Sequence, residues 1–138
     1  MAFWLLKTDP DAYAFADLAR ERRTAWTGVA NPQAQANLRA MRVGDRAVVY
    51  HSGEKRAVGT AEVVRAAFPD PEGGGRLVCV AVKALAALPR PVTLAALQAE
   101  PAFAGSPLLR QGRLSVVPLT AAQWRAVQRL AAGTPAAS

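Results

Sequence analysis

Between residues 46 and 85 the sequence runs through three strand-like segments with no helical period between them. Short connections can only join antiparallel strands, because a parallel pair needs a crossover of a dozen residues or more. Arg46 to His51 and Arg56 to Arg65 are rich in Val, Ala and Tyr and are separated only by Ser52-Gly53-Glu54-Lys55, the spacing of a hairpin. A Pro/Gly/acid surface loop, Pro69 to Gly75, leads into the apolar run Arg76 to Leu85, which the breakers Pro89 and Pro91 are expected to end.

Around this centre the pattern alternates irregularly. Phe3 to Leu6 reads as a first strand stopped by Thr8-Asp9-Pro10-Asp11, and Tyr13 to Arg22, with Phe15, Leu18 and Ala19 at helical spacing, reads as a short amphipathic helix. Thr24 to Ala30 has no period and is expected to be a loop. Asn31-Pro32 is a helix start, Asn31 as cap and Pro32 preset for the first turn, followed by the stripe Ala34, Leu38, Met41 up to Gly44. Thr93 to Gln98 predicts a short helix, Leu108 to Arg110 a turn, and Leu114 to Val117 a last strand. Thr120 and Gln123 form a capping box for a final helix whose face is Trp124, Val127, Leu130 and Ala131, closed by Gly133. This order predicts an α+β fold: a mixed, mainly antiparallel sheet or barrel surrounded by short helices.

At 138 residues, one domain over 1–133 with a frayed tail at 134–138 is expected, and 51% hydrophobic against 20% charged residues leaves ample surface to bury. No apolar run reaches the roughly 20 residues of a membrane span, and Met1 to Leu6 lacks a basic leader, so an intracellular, cytoplasmic protein without membrane contact is expected. Cys79 is the sole cysteine and sits in an apolar run, where it reads as a small buried hydrophobe. The net charge of +7 is carried almost wholly by residues 76–138, which hold seven basic residues and only Glu100, while residues 1–75 hold ten basic and nine acidic ones. Such an excess fits an anionic partner such as nucleic acid, and equally a solvated surface in an arginine-rich sequence.

The inventory for catalysis is thin. One His and one Cys leave no zinc-ligand spacing, and there is no phosphate-cradling glycine loop and no Gly-x-Ser-x-Gly elbow, so neither a metal nor a cofactor is expected. A base deaminase is excluded for want of its zinc ligands. His51, at the end of a Val-Val-Tyr strand, is read as a hydrogen-bonded structural residue before a general base. Aromatic and polar groups do collect where strands end and loops begin: Trp4 and Lys7, Trp26 and Asn31, then Tyr50, His51 and Ser52. Rings that stack on a base and polar groups that read its edge would suit a nucleobase pocket. Trp4 and Tyr50 are equally explained as core aromatics; Trp26, in an aperiodic segment beside Gly28, is the stronger functional candidate.

Trp4-Leu5-Leu6-Lys7-Thr8-Asp9-Pro10, Trp26-Thr27-Gly28-Val29-Ala30-Asn31, Gly44-Asp45, Tyr50-His51-Ser52 and Gly112-Arg113-Leu114-Ser115-Val116 resemble, in order and spacing, the EVE domain. The resemblance spans residues 3 to about 131. It implies a PUA-like barrel, related to YTH readers of methylated adenine, that flips and cages a modified base of DNA or RNA, modified cytosines such as 5-methylcytosine foremost. On that resemblance Trp26, with Gly28 and Val29 after it, walls the pocket; Asn31 faces it; Tyr50, His51 and Ser52 line it; Lys7 and Thr8 sit at its rim. Relatives commonly have Ser-Glu-Pro in place of Thr8-Asp9-Pro10 and a basic residue in place of Ala30.

The expected function is therefore non-catalytic base reading, with DNA or RNA as partner and a separate effector protein as a further one. Two other readings compete. One is a small hydrolase of modified nucleosides, like other barrels of the superfamily, using Lys7, Thr8 and Glu62; the other is a basic protein-interaction module acting through Arg110 and Arg113.

Overall fold

The structure is a computed structural model that describes residues 1–133; the expected frayed tail, 134–138, lies outside the described residues. Six strands form one sheet: β1 (Phe3–Thr8), β2 (Arg23–Trp26), β3 (Arg46–His51), β4 (Arg56–Pro69), β5 (Val78–Thr93) and β6 (Val116–Leu119). They lie in the order β2-β5-β4-β3-β1-β6, all antiparallel except β1 beside β3. Five helices pack around it: α1 (Phe15–Glu21), α2 (Pro32–Ala40), α3 (Leu94–Ala99), α4 (Pro107–Arg110) and α5 (Ala121–Ala131). The expected α+β class is observed.

Three expectations are corrected. Trp26 does not lie in a loop: Arg23–Trp26 is a four-residue edge strand paired to Lys83–Val80 of β5, too short to show a period of its own. Pro89 and Pro91 do not end the third central strand. The β4–β5 register jumps from Gly59↔Ala87 to Ala57↔Val92, so residues 88–91 themselves form a bulge with no ladder partners and a proline there forfeits no ladder hydrogen bond.

Third, the sheet is not closed into a barrel; β2 and β6 are its edges, and helix α2 packs against β6, β5 and β4. Its side-chain amides take the place of a missing strand. Gln35 Nε2 donates to Val78 O (2.9 Å) while its Oε1 accepts from Val78 N (2.9 Å), and Asn37 Nδ2 donates to Val116 O (2.7 Å). Both amides are buried, where unpaired backbone groups would cost about 1–3 kcal/mol each.

The expected start of α2 is observed: Asn31 Oδ1 accepts from Ala34 N (3.0 Å), and Ala34, Leu38 and Met41 are buried. Helix α1 lies so close to β4 that a Cβ on Gly59 would stand 2.4 Å from the Phe15 ring, which only glycine avoids. In α5 the Thr120–Gln123 capping box is present, and Trp124 stacks on Phe3 of β1 at 4.8 Å.

Asp45, in the turn from α2 into β3, ties this turn to the start of the chain. Its carboxylate accepts from the backbone amides of Ala2 (3.0 Å) and Arg42 (2.9 Å) and from the Trp4 indole (3.0 Å). Trp4 is thereby a core residue, with its one polar atom satisfied. Burial pushes the Asp45 carboxyl up, but these hydrogen bonds outweigh burial and hold it below the usual carboxylate range. Among the described residues no helix is long and apolar enough to cross a membrane, and no cluster of His, Cys, Asp or Glu could hold a metal.

Asp45→Ala strands the Trp4 indole N–H and is expected to cost about 3 kcal/mol in chemical denaturation. Because the folded pKa is depressed, the stability Asp45 contributes is complete above the unfolded value of about 4 and is lost as pH falls through the folded value. Asp45→Asn should therefore flatten the fall in stability below about pH 4; an unchanged acid limb would contradict the role.

Candidate base-binding site

At the end of the sheet where β1 and β2 finish, a cavity of about 360 Å³ is lined by Lys7, Thr8, Asp9, Tyr13, Trp26, Thr27, Gly28, Val29 and Ser115, with Thr24 and Ala25 between. Trp26 closes one wall. It is 7% exposed, and the Tyr13 ring meets it edge-on, centroids 6.1 Å apart at 87°. Tyr13 precedes α1 and is fixed there by its hydroxyl, which donates to Glu21 Oε1 (2.6 Å), and by its carbonyl, which accepts from Thr8 Oγ1 (2.6 Å). Burial first, then the bond to Glu21, push the phenol up to about 12, so it is a neutral donor across the physiological range.

The segment after Trp26 is held by two side chains, one 42 residues away in sequence and one from the helix that follows. Gly28 takes φ +78°, which favours glycine, and its N–H donates to Asp70 Oδ2 (2.9 Å); the Val29 carbonyl accepts from Gln35 Nε2 (2.6 Å). Asp70 belongs to the Pro/Gly/acid loop, so that loop braces the cavity.

Lys7 lies half-buried where β1 ends. Its Nζ donates to Gly112 O (3.0 Å) and stands 5.9 Å from the Tyr50 ring centroid, and burial lowers its pKa. On its other side is a second cavity of about 260 Å³, lined by Lys7 again with Tyr50, Ser52, Lys55, Leu94, Gln98, Leu108, Leu109 and Gly112.

Five residues singled out from the sequence, Lys7, Thr8, Trp26, Gly28 and Val29, thus share the first cavity, and Tyr50 and Ser52 share the second. Asn31 and His51 line neither. Asn31 is spent on capping α2. His51 Nε2 accepts from Phe15 N (3.0 Å); since a backbone amide can only donate, the ring proton is on Nδ1, which faces Glu54 Oε1 at 2.7 Å. Both nitrogens are occupied, Nε2 in holding the start of α1 and Nδ1 on Glu54 of the turn after β3, and the bonds from His51 and Arg56 keep the Glu54 carboxyl below its usual range.

The Lys7, Thr8 and Glu62 set of the hydrolase reading is not assembled. Glu62 faces Arg46 (3.4 Å) and Lys83 (3.6 Å). Through the pairs Phe3↔Arg46 and Arg46↔Glu62 it lies level with Phe3, four residues or roughly 13 Å along β1 from Lys7. Sequence reasoning missed Tyr13, Asp70 and Gln35. Tyr13 carried a signal as an aromatic at a helix entrance; Asp70 reaches the site only through a pairing 42 residues apart, and Gln35 reaches it through Val29, six residues away, while also bonding Val78, 43 residues away.

The EVE domain family model matches residues 2–130. A Rhodopseudomonas palustris protein solved by NMR is 42% identical with a TM-score of 0.89, covering 99% of this chain and 97% of that one. The human THYN1 protein, in complex with DNA containing 5-methylcytosine, is 28% identical with a TM-score of 0.85, covering 95% and 98%. Chicken (Gallus gallus) thymocyte nuclear protein 1 is 38% identical over 80 residues, 49% of this chain and 33% of its own length. The match thus spans about a third of that curated relative.

His51→Ala leaves the buried Phe15 N–H without an acceptor and should cost about 1–3 kcal/mol in denaturant unfolding. The loss should appear equally in a Phe15-directed probe, slower amide exchange at Phe15 in the wild type being abolished in the variant; unchanged exchange would count against the clamp.

Proposed function

Because the chain belongs to the EVE domain family, we propose that it is a non-catalytic reader that takes one base out of a nucleic acid and holds it in the first cavity. The ligand class is a modified base, modified cytosine foremost, in DNA or RNA. The observation that carries the reading is the Trp26–Tyr13 wall of a cavity of about 360 Å³ whose remaining rim, Lys7, Thr8 and Ser115, is polar.

A base stacked on an aromatic face gains roughly 1–3 kcal/mol, comparable with the few kcal/mol that flipping costs. The wall is preorganised, because Asp70, Gln35 and Glu21 already hold its members in place, so little ordering is left to oppose binding. In this reading the base stacks on one ring of the Trp26–Tyr13 corner and meets the other, which stands perpendicular to it, along its edge. Lys7 and Thr8 meet its edge or the adjoining phosphate, and Gly28 and Val29 form the floor. Asn31 and His51 are positioning residues that act through α2 and α1. The human THYN1 complex, whose DNA contains 5-methylcytosine, supports modified cytosine as the ligand class.

A methyl group alone contributes ~0.8 kcal/mol on burial, about fourfold in affinity. A polar addition can also use hydrogen bonds to the rim and is discriminated more sharply. Matched oligonucleotides carrying plain, methylated or hydroxymethylated cytosine, as DNA and as RNA at one salt concentration, are expected to bind in the order hydroxymethyl, methyl, plain. Trp26→Ala should weaken the preferred complex about tenfold or more, with Trp26→Phe, which keeps the strand end packed, intermediate. Equal affinity for all three, indifferent to Trp26 and fading with salt, would reduce the interaction to phosphate attraction and overturn the reading.

A further inference from the structure

We infer that the second cavity receives the base of a neighbouring nucleotide, with Lys7 on the phosphate between the two bases. The inference rests on the first cavity being a base pocket and extends it from one nucleotide to two.

Adjacent nucleotides are joined by one phosphate, so a base held in the first cavity brings its neighbour within reach of whatever adjoins that cavity. What adjoins it is the second cavity, and Lys7 is the residue common to the lining of both. Its ammonium has three donors, of which one is given to Gly112 O, and no carboxylate pairs with it among the described residues. A half-buried cation with unspent donors on the shared wall is suited to a phosphate that must cross there.

The second cavity itself suits a base. Tyr50, Leu94, Leu108 and Leu109 give it apolar walls, and Ser52 and Gln98 supply polar groups for a base edge. A phosphate would leave those walls dehydrated without a partner, whereas the faces of a base gain by burial.

Charge sets the direction of the strand. Lys55 lines the second cavity, and Arg110 and Arg113 flank its lining residues Leu109 and Gly112 in sequence. All three are exposed and without an ion-pair partner among the described residues. On the first cavity Asp9 forms part of the lining and Asp11 follows it, both exposed. A polyanion leaving the first cavity is repelled over Asp9 and drawn over Lys7 toward the second.

The test is calorimetric titration of the whole chain with three probes: 5-hydroxymethyl-2′-deoxycytidine monophosphate, dinucleotides that add thymidine on its 5′ or 3′ side, and the same dinucleotides with an abasic sugar in place of thymidine. One dinucleotide should bind about tenfold tighter than its abasic counterpart, the order expected for one sequestered base. Gln98→Trp, at an exposed position with its side chain over the second cavity, should erase that difference while leaving the mononucleotide affinity unchanged. Equal binding of full and abasic dinucleotides, or a gain that Gln98→Trp does not touch, overturns the second site while the first-cavity reading stands on the mononucleotide. Failure of the wild type to bind any of the three probes overturns both.

Discussion

Helix α2 stands where a closed barrel would need β2 and β6 to pair, and much of the structure answers to that gap. A sheet with open edges leaves backbone amides and carbonyls unpaired, and burying them without partners is among the costlier errors a fold can make. Gln35 solves the problem at β5 by donating to and accepting from Val78, as a strand residue would, and Asn37 does so at β6 through Val116 O. Because α2 has to sit there, its N-terminus has to begin near the end of β2. The first part of that short approach, Thr27 to Val29, lines the first cavity.

The same amide that caps the open sheet at Val78 also shapes the site. Gln35 Nε2 is shared between Val78 O and Val29 O, so the capping of β5 and the cavity wall are coupled through one side chain. Asp70 does the corresponding work at Gly28 from the opposite loop. The wall is thus held by buried, fully partnered groups in place of mobile loop contacts, which is the arrangement a site needs if binding is to spend little free energy on ordering.

Lys7 occupies the other hinge of the arrangement. Its backbone continues the β1 ladder, with Lys7 N donating to Ser115 O (2.8 Å) and Tyr50 as its parallel partner, while its side chain divides two cavities. Aromatic residues that look interchangeable in sequence take three distinct roles around it. Trp4 is spent on Asp45 in the core, Trp26 closes the first cavity, and Tyr50 lies under the Lys7 ammonium in the second.

Periodicity and cap chemistry are local properties, so they were legible along the chain: the α2 start at Asn31-Pro32, the Thr120–Gln123 box, the hairpin of β3 and β4, and the irregular order that implies an α+β fold. The motif residues around Lys7 and Trp26 were legible as a set. Local pattern could not reveal β2, which exists only through its ladder to β5, nor the bulge that admits Pro89 and Pro91, nor the open sheet, since each depends on what lies opposite. It could not divide Trp26 from Tyr50 between two cavities, or reveal that His51 and Asn31 are spent on scaffolding. Sequence by itself determined which segments were competent to be helix or strand and which residue types were available for chemistry, because those follow from neighbours within a few residues. Tertiary structure alone decided which of those side chains face a cavity and which are consumed in holding it, because hydrogen bonds spanning 36 to 79 residues choose between the two.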